Sequence, residues 1–419
     1  MTYKCWTCLL VLCLLLAGCS ADPGTNNAPS DPAPAPAPAP EPEPEQPPEA
    51  ETPPEDPAAA LLADLTLEEK LGQLVILGLE GTSMEPETQE MIERYHVGGF
   101  ILYQDNIDSL AQTAQLVNEL KEANRQNSVP LLLGVDQEGG RVDRMPSGIS
   151  AVPSPRRVAE ADDKRFSYAT GQALGIQVRA LGLNLNFAPV LDVNNNARNP
   201  VIGDRSYGDL PDAVIRHGLE AMDGLRSTRV IPVVKHFPGH GDTDVDSHLD
   251  LPVIHKTKDE LENFELKPFA AAIAAETDAV MVAHLLIPGL DPDRPASLSE
   301  AIITDLLRGE MGFEGVVMTD DLTMQGITKH HTVGEAAVLT LLAGSDIVLI
   351  GHHHGQQAEV LDAIRQSVED GLLTEQQLDE KTSRVLRLKQ SYQLNDDPVE
   401  PADADALNGQ VQSVLEEAR

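Results

Sequence analysis

The body of this chain contains no cysteine. All four cysteines of its 419 residues, Cys5, Cys8, Cys13 and Cys19, lie close to the amino terminus. Their position excludes a disulfide framework, a thiol nucleophile and a thiolate metal site from the rest of the sequence. The only tryptophan, Trp6, lies in the same short segment. Stacking on a ligand elsewhere in the chain would therefore depend on tyrosine, phenylalanine or aliphatic side chains.

Basic residues are also scarce. Thirty Lys and Arg face 67 Asp and Glu, which gives a formal net charge of -37. A surface this acidic argues against nucleic acid as a partner, because phosphate groups are bound by Lys and Arg. The apolar fraction of 41% is sufficient for a large core. The composition therefore indicates a substantial folded domain without a nucleic-acid function.

The first nineteen residues have the features of an export signal. Lys4 precedes an apolar run at residues 9–16, which is too short to span a membrane and is followed by small residues. The LAGC sequence at residues 16–19 resembles the bacterial lipobox, which predicts a lipid on Cys19. The alternative is an ordinary signal peptide that happens to contain a cysteine. We therefore expect a lipid-anchored protein on the extracellular face of the bacterial cell membrane.

Residues 20–57 have the composition of a linker. They are rich in Pro, Ala and Glu, and they hold nine acidic residues and no Lys or Arg. Such a segment cannot bury a core, and its proline content favours an extended polyproline II conformation. We expect a disordered, semi-rigid spacer between the membrane anchor and the folded domain.

From residue 58 onward, short apolar runs alternate with longer amphipathic segments. The runs number eight, and mostly continuous apolar stretches without alternation are typical of parallel strands buried on both faces. Eight strand-then-helix units predict a (β/α)8 TIM-type barrel, here a single catalytic domain at residues 58–394, with an acidic C-terminal tail or loose helix at residues 395–419. The strand runs are residues 74–79, 98–103, 131–136, 185–193, 230–235, 279–284, 315–320 and 346–351. Helical patterns include residues 107–124, 212–227, 258–275 and 333–343, and residues 356–394 are predicted to form two closing helices.

Polar residues collect where these predicted strands end. In barrels of this type the active site is built at the carboxyl ends of the strands. The candidates follow six of the eight runs: Asp136 to Arg141, Asp192, Lys235 and His236, His284, Asp320 and Asp321, and His352 to His354. Their placement predicts a functional site at this end of the barrel without reference to any motif.

Four sequence motifs occur in a fixed order. KHFPGHG spans residues 235–241 and is followed by DSH at 246–248, while VMTDDL spans 317–322, GVDQEGGRV 134–142 and DRSYG 204–208. Together they resemble glycoside hydrolase family 3, specifically its β-N-acetylglucosaminidase branch. The resemblance extends from about residue 58 to residue 394. Thr319 departs from the family pattern, which usually has serine at this position.

The resemblance implies roles for particular residues. It makes Asp320 the catalytic nucleophile and His248 the acid/base, with Asp246 as the partner of His248. It implies a retaining exo-β-N-acetylglucosaminidase that acts through a covalent glycosyl-enzyme on terminal β-linked N-acetylglucosamine of peptidoglycan fragments, with neither metal nor cofactor. The positions that match sugar-binding residues of the family are Asp136, Arg144, Arg205, Lys235 and His236.

The chemistry of these residue types agrees with that assignment. Retaining hydrolysis needs an ionised carboxylate as nucleophile and a proton donor across the scissile bond, and histidine is suited to donate near neutral pH. In extended chain, residues two apart point the same way, so Asp246 would orient the His248 imidazole and stabilise its charged form.

Other interpretations of the same residues remain open at this stage. The Asp and His residues at 240–248 would also suit a metal cluster, although they lack the spacing of known zinc sites. Asp320 would also suit a helix N-cap. Glu138 is next to two glycines and is left without a role, because it would suit a bond to the backbone. The tract 352–354 would suit a substrate contact, an adventitious metal or a plain polar loop.

Two alternative functions are also compatible with parts of the sequence. A β-glucosidase or β-xylosidase of the same family is expected to take a glutamate acid/base from a second domain, for which the chain is short. A catalytically silent sugar-binding lipoprotein would not need Asp320, Asp246 and His248 together. Turnover of a chromogenic N-acetylglucosaminide against the matching glucoside separates these functions.

Overall fold

The computed structural model describes residues 57–244, 250–352 and 354–419. The predicted lipidation site at Cys19, the linker and the Asp246–His248 pair lie outside the described residues.

The described residues form a closed barrel of eight parallel strands, and each strand pairs with the next. Strand β8 pairs with β1 and so closes the barrel, with Ile76 of β1 opposite Gly99 of β2 on one side and Leu349 of β8 on the other. This confirms the predicted (β/α)8 barrel. The strands are β1 Val75–Gly78, β2 Gly99–Leu102, β3 Leu132–Val135, β4 Leu185–Asn186, β5 Ile231–Phe237, β6 Ala279–Val282, β7 Val316–Asp321 and β8 Ile347–Ile350.

Helices connect the strands, and several begin at a capping box. The side chains of Thr257, Thr332 and Thr374 each accept a hydrogen bond from the backbone N–H three residues later. The Glu or Gln side chain at that later position accepts a hydrogen bond from the backbone N–H of the threonine.

No helix among residues 57–244, 250–352 and 354–419 is long and apolar enough to cross a membrane. The α-helices are α1 Pro57–Asp64, α2 Leu67–Gly72, α3 Pro86–Glu93, α4 Leu110–Ala123, α5 Pro155–Glu160, α6 Lys164–Ala180, α7 Pro211–Ser227, α8 Lys258–Asn263, α9 Leu266–Ala274, α10 Gln325–Thr328, α11 Val333–Ala343, α12 Gln357–Glu369, α13 Glu375–Ser391 and α14 Ala404–Glu417, and a π-helix spans Ala301–Glu310.

The barrel interior is filled by apolar side chains, and α13 packs against them. Val385 and Leu388 of α13 belong to the same buried cluster as the strand residues. Next to them the Lys389 ammonium donates to the carbonyl oxygens of Gly98 and Pro130 and to the Gln73 side chain. Burial lowers the pKa of Lys389 to about 7. This helix therefore ties together the loops that lead into β2 and β3.

Two predicted elements are interrupted in the structure: one strand is shorter than the sequence pattern suggested, and one helix is divided in two. The run 185–193 contains only the two-residue β4 and an isolated bridge between Val190 and Lys235, because Pro189 has no N–H to donate to a ladder. The predicted helix 258–275 is divided into α8 and α9. The backbone of Phe264, with φ of -140° and ψ of -80°, leaves the helical conformation between them.

The pairing of β7 with β8 contains an irregularity. Met318 lies opposite Ile347 and Asp321 lies opposite Leu349, so β7 advances three residues while β8 advances two. This is the arrangement of a β-bulge, which redirects side chains where it occurs. The bulge falls at the carboxyl end of β7, where Asp320 and Asp321 lie.

The segment 395–419, expected to be a tail or loose helix, contains the packed helix α14. Leu407 and Val411 are buried, and α14 lies against α6. Asn408 accepts a hydrogen bond from the backbone N–H of Ser150 and donates one to the carbonyl oxygen of Gly148. The apolar face of this helix was not recognised from the sequence, because the segment around it is acidic.

Candidate active site

A pocket of about 600 Å³ opens at the carboxyl ends of the strands. Its volume lies within the range of small-molecule sites, roughly 300–1,000 Å³. The structure brings together six residues that the sequence selected as nucleophile or sugar-binding groups. They are Asp136, Arg144, Arg205, Lys235, His236 and Asp320.

The base of the pocket holds a cluster of four charged side chains. Lys235 of β5 is only 2% exposed and forms ion pairs with Asp136 and Glu138, the latter with 2.7 Å between Nζ and Oε1. The Arg205 guanidinium donates two hydrogen bonds to Glu138, each of 2.7 Å. This two-pronged geometry fits a carboxylate closely. The cluster therefore contains two cations and two anions, and the charges balance.

Glu138 is at the centre of this cluster, although the sequence left it without a role. Burial opposes its ionisation, but the charges and hydrogen bonds of Arg205 and Lys235 outweigh that effect and hold the pKa of Glu138 well below its usual range. The neighbouring glycines allow the turn that follows: Gly139 has a φ of 84°, and a Cβ there would lie 2.6 Å from the Pro153 carbonyl oxygen. The partners of the Glu138 carboxylate are two side chains, Arg205 in the loop after β4 and Lys235 of β5, and not the backbone bond that the sequence left open as one interpretation.

A second buried carboxylate orients His236. Asp192 is fully buried and accepts a hydrogen bond of 2.6 Å from the Nδ1–H of His236. Its other oxygen accepts a hydrogen bond of 2.7 Å from the backbone N–H of His240. The Nε2 of His236 lies 3.4 Å from Arg205 in the pocket. Asp192 was noted at a strand end but given no function, and the structure makes it the residue that fixes the ring of His236.

His240 is a buried neutral histidine. Burial and the nearby His236 lower the pKa of His240 to about 4. Its Nδ1 lies 3.1 Å from the hydroxyl of Thr243. The Asn199 amide donates to the carbonyl oxygens of His240 and Gly241. These contacts fix the start of the loop after β5, and the predicted acid/base pair Asp246–His248 follows just beyond, outside the described residues.

Asp320 lies at the carboxyl end of β7 and lines the pocket. One of its carboxylate oxygens accepts a hydrogen bond of 2.9 Å from the backbone N–H of Asp321. The preceding Thr319 is fully buried, and its hydroxyl oxygen accepts a hydrogen bond of 3.0 Å from the backbone N–H of Leu349 in β8. The departure from the family's usual serine therefore retains the hydroxyl, which here joins β7 to β8.

Asp321, next along the chain, is directed to β8. Its carboxylate accepts hydrogen bonds from the backbone N–H groups of Thr323 and Gly351, both 2.9 Å, and from the ring of His352.

Across the described parts of the chain, no group of three or more His, Cys, Asp or Glu residues is arranged to hold a metal ion.

Sequence comparison identifies the family. The model of the glycosyl hydrolase family 3 N terminal domain matches residues 66–388. The chain belongs to glycoside hydrolase family 3. It is therefore a glycoside hydrolase, as the motifs predicted.

Two curated relatives are informative about the extent of the match. The chain is 36% identical over 332 residues to beta-hexosaminidase A of Pseudoalteromonas piscicida, and the alignment covers 74% of this chain but only 56% of that relative. It is 35% identical to a beta-hexosaminidase of Idiomarina loihiensis, over 70% of this chain and 88% of the relative.

Solved structures agree with this family. A family 3 β-N-acetylglucosaminidase from Paenibacillus sp. is 42% identical with a TM-score of 0.80, over 84% of this chain and 69% of that one. A β-N-acetylhexosaminidase from Beutenbergia cavernae is 33% identical with a TM-score of 0.74, over 78% of this chain and 99% of that one. The pocket described above is thus set in a fold shared with structures named as hexosaminidases.

Glu138→Gln is expected to lower the free energy of unfolding by about 3–5 kcal/mol, because it leaves Lys235 and Arg205 buried with one counter-charge fewer. Asp204→Asn is the matched control. It breaks an ion pair with Arg141 in which both side chains are nearly half exposed, so the loss should stay below about 1 kcal/mol. Urea unfolding at pH 7 measures both, and equal losses in the two variants would contradict the central role of Glu138.

The stabilisation by Glu138 should also depend on pH. Folding lowers the pKa of Glu138 below its value of 4.5 in the unfolded chain, so the stabilisation is complete above that pH and is lost as the pH falls below it. The difference in stability between wild type and Glu138→Gln should therefore be constant between about pH 6 and pH 8 and should shrink below about pH 4.5. A difference that grows on acidification would contradict this assignment.

Proposed function

We propose that this chain is a retaining exo-β-N-acetylglucosaminidase that removes terminal β-linked N-acetylglucosamine from peptidoglycan fragments. The observation that carries the proposal is the position of Asp320, a carboxylate at the end of β7 in a pocket whose base is a balanced cluster of buried charges. Those charged groups suit the hydroxyls of a sugar, and Asp320 suits attack on its anomeric carbon.

The chemistry assigned to the pocket is a double displacement. Asp320 attacks the anomeric carbon and forms a covalent glycosyl-enzyme, while His248 protonates the departing oxygen. In the second step His248 removes a proton from water, which then displaces Asp320. Asp246 orients the imidazole and stabilises its charged form. These roles rest on the motif match together with the position of Asp320.

Substrate recognition is assigned to the base of the pocket. Asp136, Lys235 and Arg205 present carboxylate, ammonium and guanidinium groups within one hydrogen-bonded cluster, which suits the several hydroxyls at the non-reducing end of a glycan. A pocket of limited volume supports removal of one terminal sugar at a time. The names of the relatives, which are hexosaminidases and β-N-acetylglucosaminidases, support N-acetylglucosamine as that sugar.

Asp320→Asn tests the nucleophile. The amide cannot form the glycosyl ester, so turnover of an aryl β-N-acetylglucosaminide should fall by roughly a thousandfold or more while the melting temperature is retained. Asp305→Asn, at an exposed position on the π-helix, is the matched control and should keep wild-type turnover. The matching aryl β-glucoside should be a much poorer substrate of the wild type. A retained tenth of activity in Asp320→Asn, or a preference for the glucoside, would overturn the proposal.

His248→Ala tests the acid/base. Aryl leaving groups of low pKa need no proton, so glycosylation should slow little for them and strongly for sugar leaving groups. The second step should slow for every substrate, so a covalent intermediate should accumulate and azide should restore turnover. His255→Ala, an exposed histidine in the same connection after β5, is the control. Equal slowing for all leaving groups, with no accumulation and no azide rescue, would show that His248 is not the acid/base.

We further propose that the mature protein is anchored through a lipid on Cys19 at the extracellular face of the cell membrane. The lipobox and the proline-rich acidic linker support this location. A diacylated cysteine anchors stably, whereas a single chain does not. Cys19→Ser should move the enzyme activity from the membrane fraction to the medium, with Cys13→Ser as the control that stays bound. Activity that remains in the membrane fraction of Cys19→Ser would indicate a different anchor.

A further inference from the structure

His352 lies just after β8, on the wall of the pocket. Its Nδ1–H donates a hydrogen bond of 2.6 Å to Asp321, and its ring is stacked on Tyr103, with 4.6 Å between ring centres and 25° between planes. The preceding Gly351 leaves no room for a side chain, because a Cβ there would lie 2.1 Å from the Tyr103 hydroxyl. The imidazole is thus held on two sides although 59% of its side chain is exposed.

Asp321 connects His352 to the nucleophile. Its carboxylate accepts hydrogen bonds from His352 and from the backbone N–H of Gly351, and its own backbone N–H donates to a carboxylate oxygen of Asp320. The hydrogen bonds to the Asp321 carboxylate therefore help to fix the residue whose backbone N–H holds Asp320.

The same arrangement places two carboxylates next to each other at the end of one strand. A nucleophile must be ionised to attack, and a nearby cation favours the ionised form of a carboxylate. An imidazolium bonded to Asp321 supplies such a cation next to this pair.

We propose that His352 is a positioning residue for the nucleophile, which holds Asp320 in place through Asp321 and, as a cation, favours its ionised form. The inference rests on the proposed role of Asp320. It gives a function to the first residue of a histidine tract that the sequence left open between a substrate contact, an adventitious metal and a plain polar loop.

The groups around His352 determine its charge. Asp321 of β7 is its hydrogen-bond partner, and Asp105, which follows β2, adds a further negative charge. The hydrogen bond to Asp321 is the main reason that the pKa of His352 is raised above its usual value, and burial opposes it. Tyr103 contributes no charge near neutral pH, because burial raises its pKa well above the usual value.

Beyond the stacked pair, Asp136, Asp320 and Arg144 lie close enough to influence Tyr103. The surroundings of His352 are therefore more acidic than basic. The raised pKa therefore favours the cationic form of His352 on the acid side of neutrality.

The test is the pH dependence of kcat/KM on an aryl β-N-acetylglucosaminide, whose acid limb reports ionisation of the nucleophile in the free enzyme. His352→Gln retains a hydrogen-bond donor for Asp321 but removes the cation. Its acid limb should move to higher pH by roughly half to one unit, less than the one to three units of a direct ion pair. At pH values below the midpoint, kcat/KM should fall by about three- to tenfold, and KM should change little.

Three further variants make the result specific. His352→Lys restores a cation and should return the acid limb toward that of the wild type. His352→Ala removes both charge and hydrogen bond and should lower kcat at every pH in addition to moving the acid limb. His330→Gln, an exposed histidine outside the pocket, should match the wild type throughout. Melting temperatures check that all four variants are folded.

An unchanged acid limb in His352→Gln would overturn the inference. A raised KM with an unchanged acid limb would also overturn it, because that result describes a substrate contact. Failure of the proposed function is distinguishable: it would appear as retained turnover in Asp320→Asn, whatever the behaviour of the His352 variants.

Discussion

The neutralisation of one buried lysine is the constraint on which the pocket depends. Lys235 is almost completely enclosed, and a lone ammonium in that position would be strongly unfavourable. Asp136 and Glu138 at the end of β3 supply its counter-charge, and Arg205 in the loop after β4 completes the cluster. The segments at or after the ends of β3, β4 and β5 are therefore joined through one charge-balanced cluster. The shape of the pocket and the electrostatic stability of this end of the barrel have the same origin.

The fold was predictable because its signal is repeated. Eight apolar runs with longer amphipathic segments between them are required by a parallel barrel with helices outside, and each unit independently supports the others. Individual elements were less predictable. The run at 185–193 is mostly apolar, but Pro189 prevents a continuous ladder. The packing of helix α14 was not predicted, because its buried residues, Leu407 and Val411, are few within an acidic segment.

The site was predictable where a residue's role is local and was missed where it depends on a distant partner. Asp320 and Lys235 were found because polar residues at strand ends stand out after apolar runs. Glu138 was not assigned a role, since its principal partner, Arg205, is 67 residues away and nothing in the neighbouring sequence indicates the pairing. The role of Asp192 was missed for the same reason, because its carboxylate holds His236, 44 residues further on.

The bulge at the end of β7 has a consequence for how this protein is inactivated by heat. It allows consecutive carboxylates to serve different purposes, one facing the pocket and one joining β7 to β8. In an open sheet such an irregular pairing would be free to slip by a residue. A closed barrel has no free edge, so slippage at one pair of strands is resisted by all the others. The spacing between Asp320 and the charged cluster around Lys235 is thus a property of the intact ring, and heat inactivation should coincide with cooperative melting of the whole barrel.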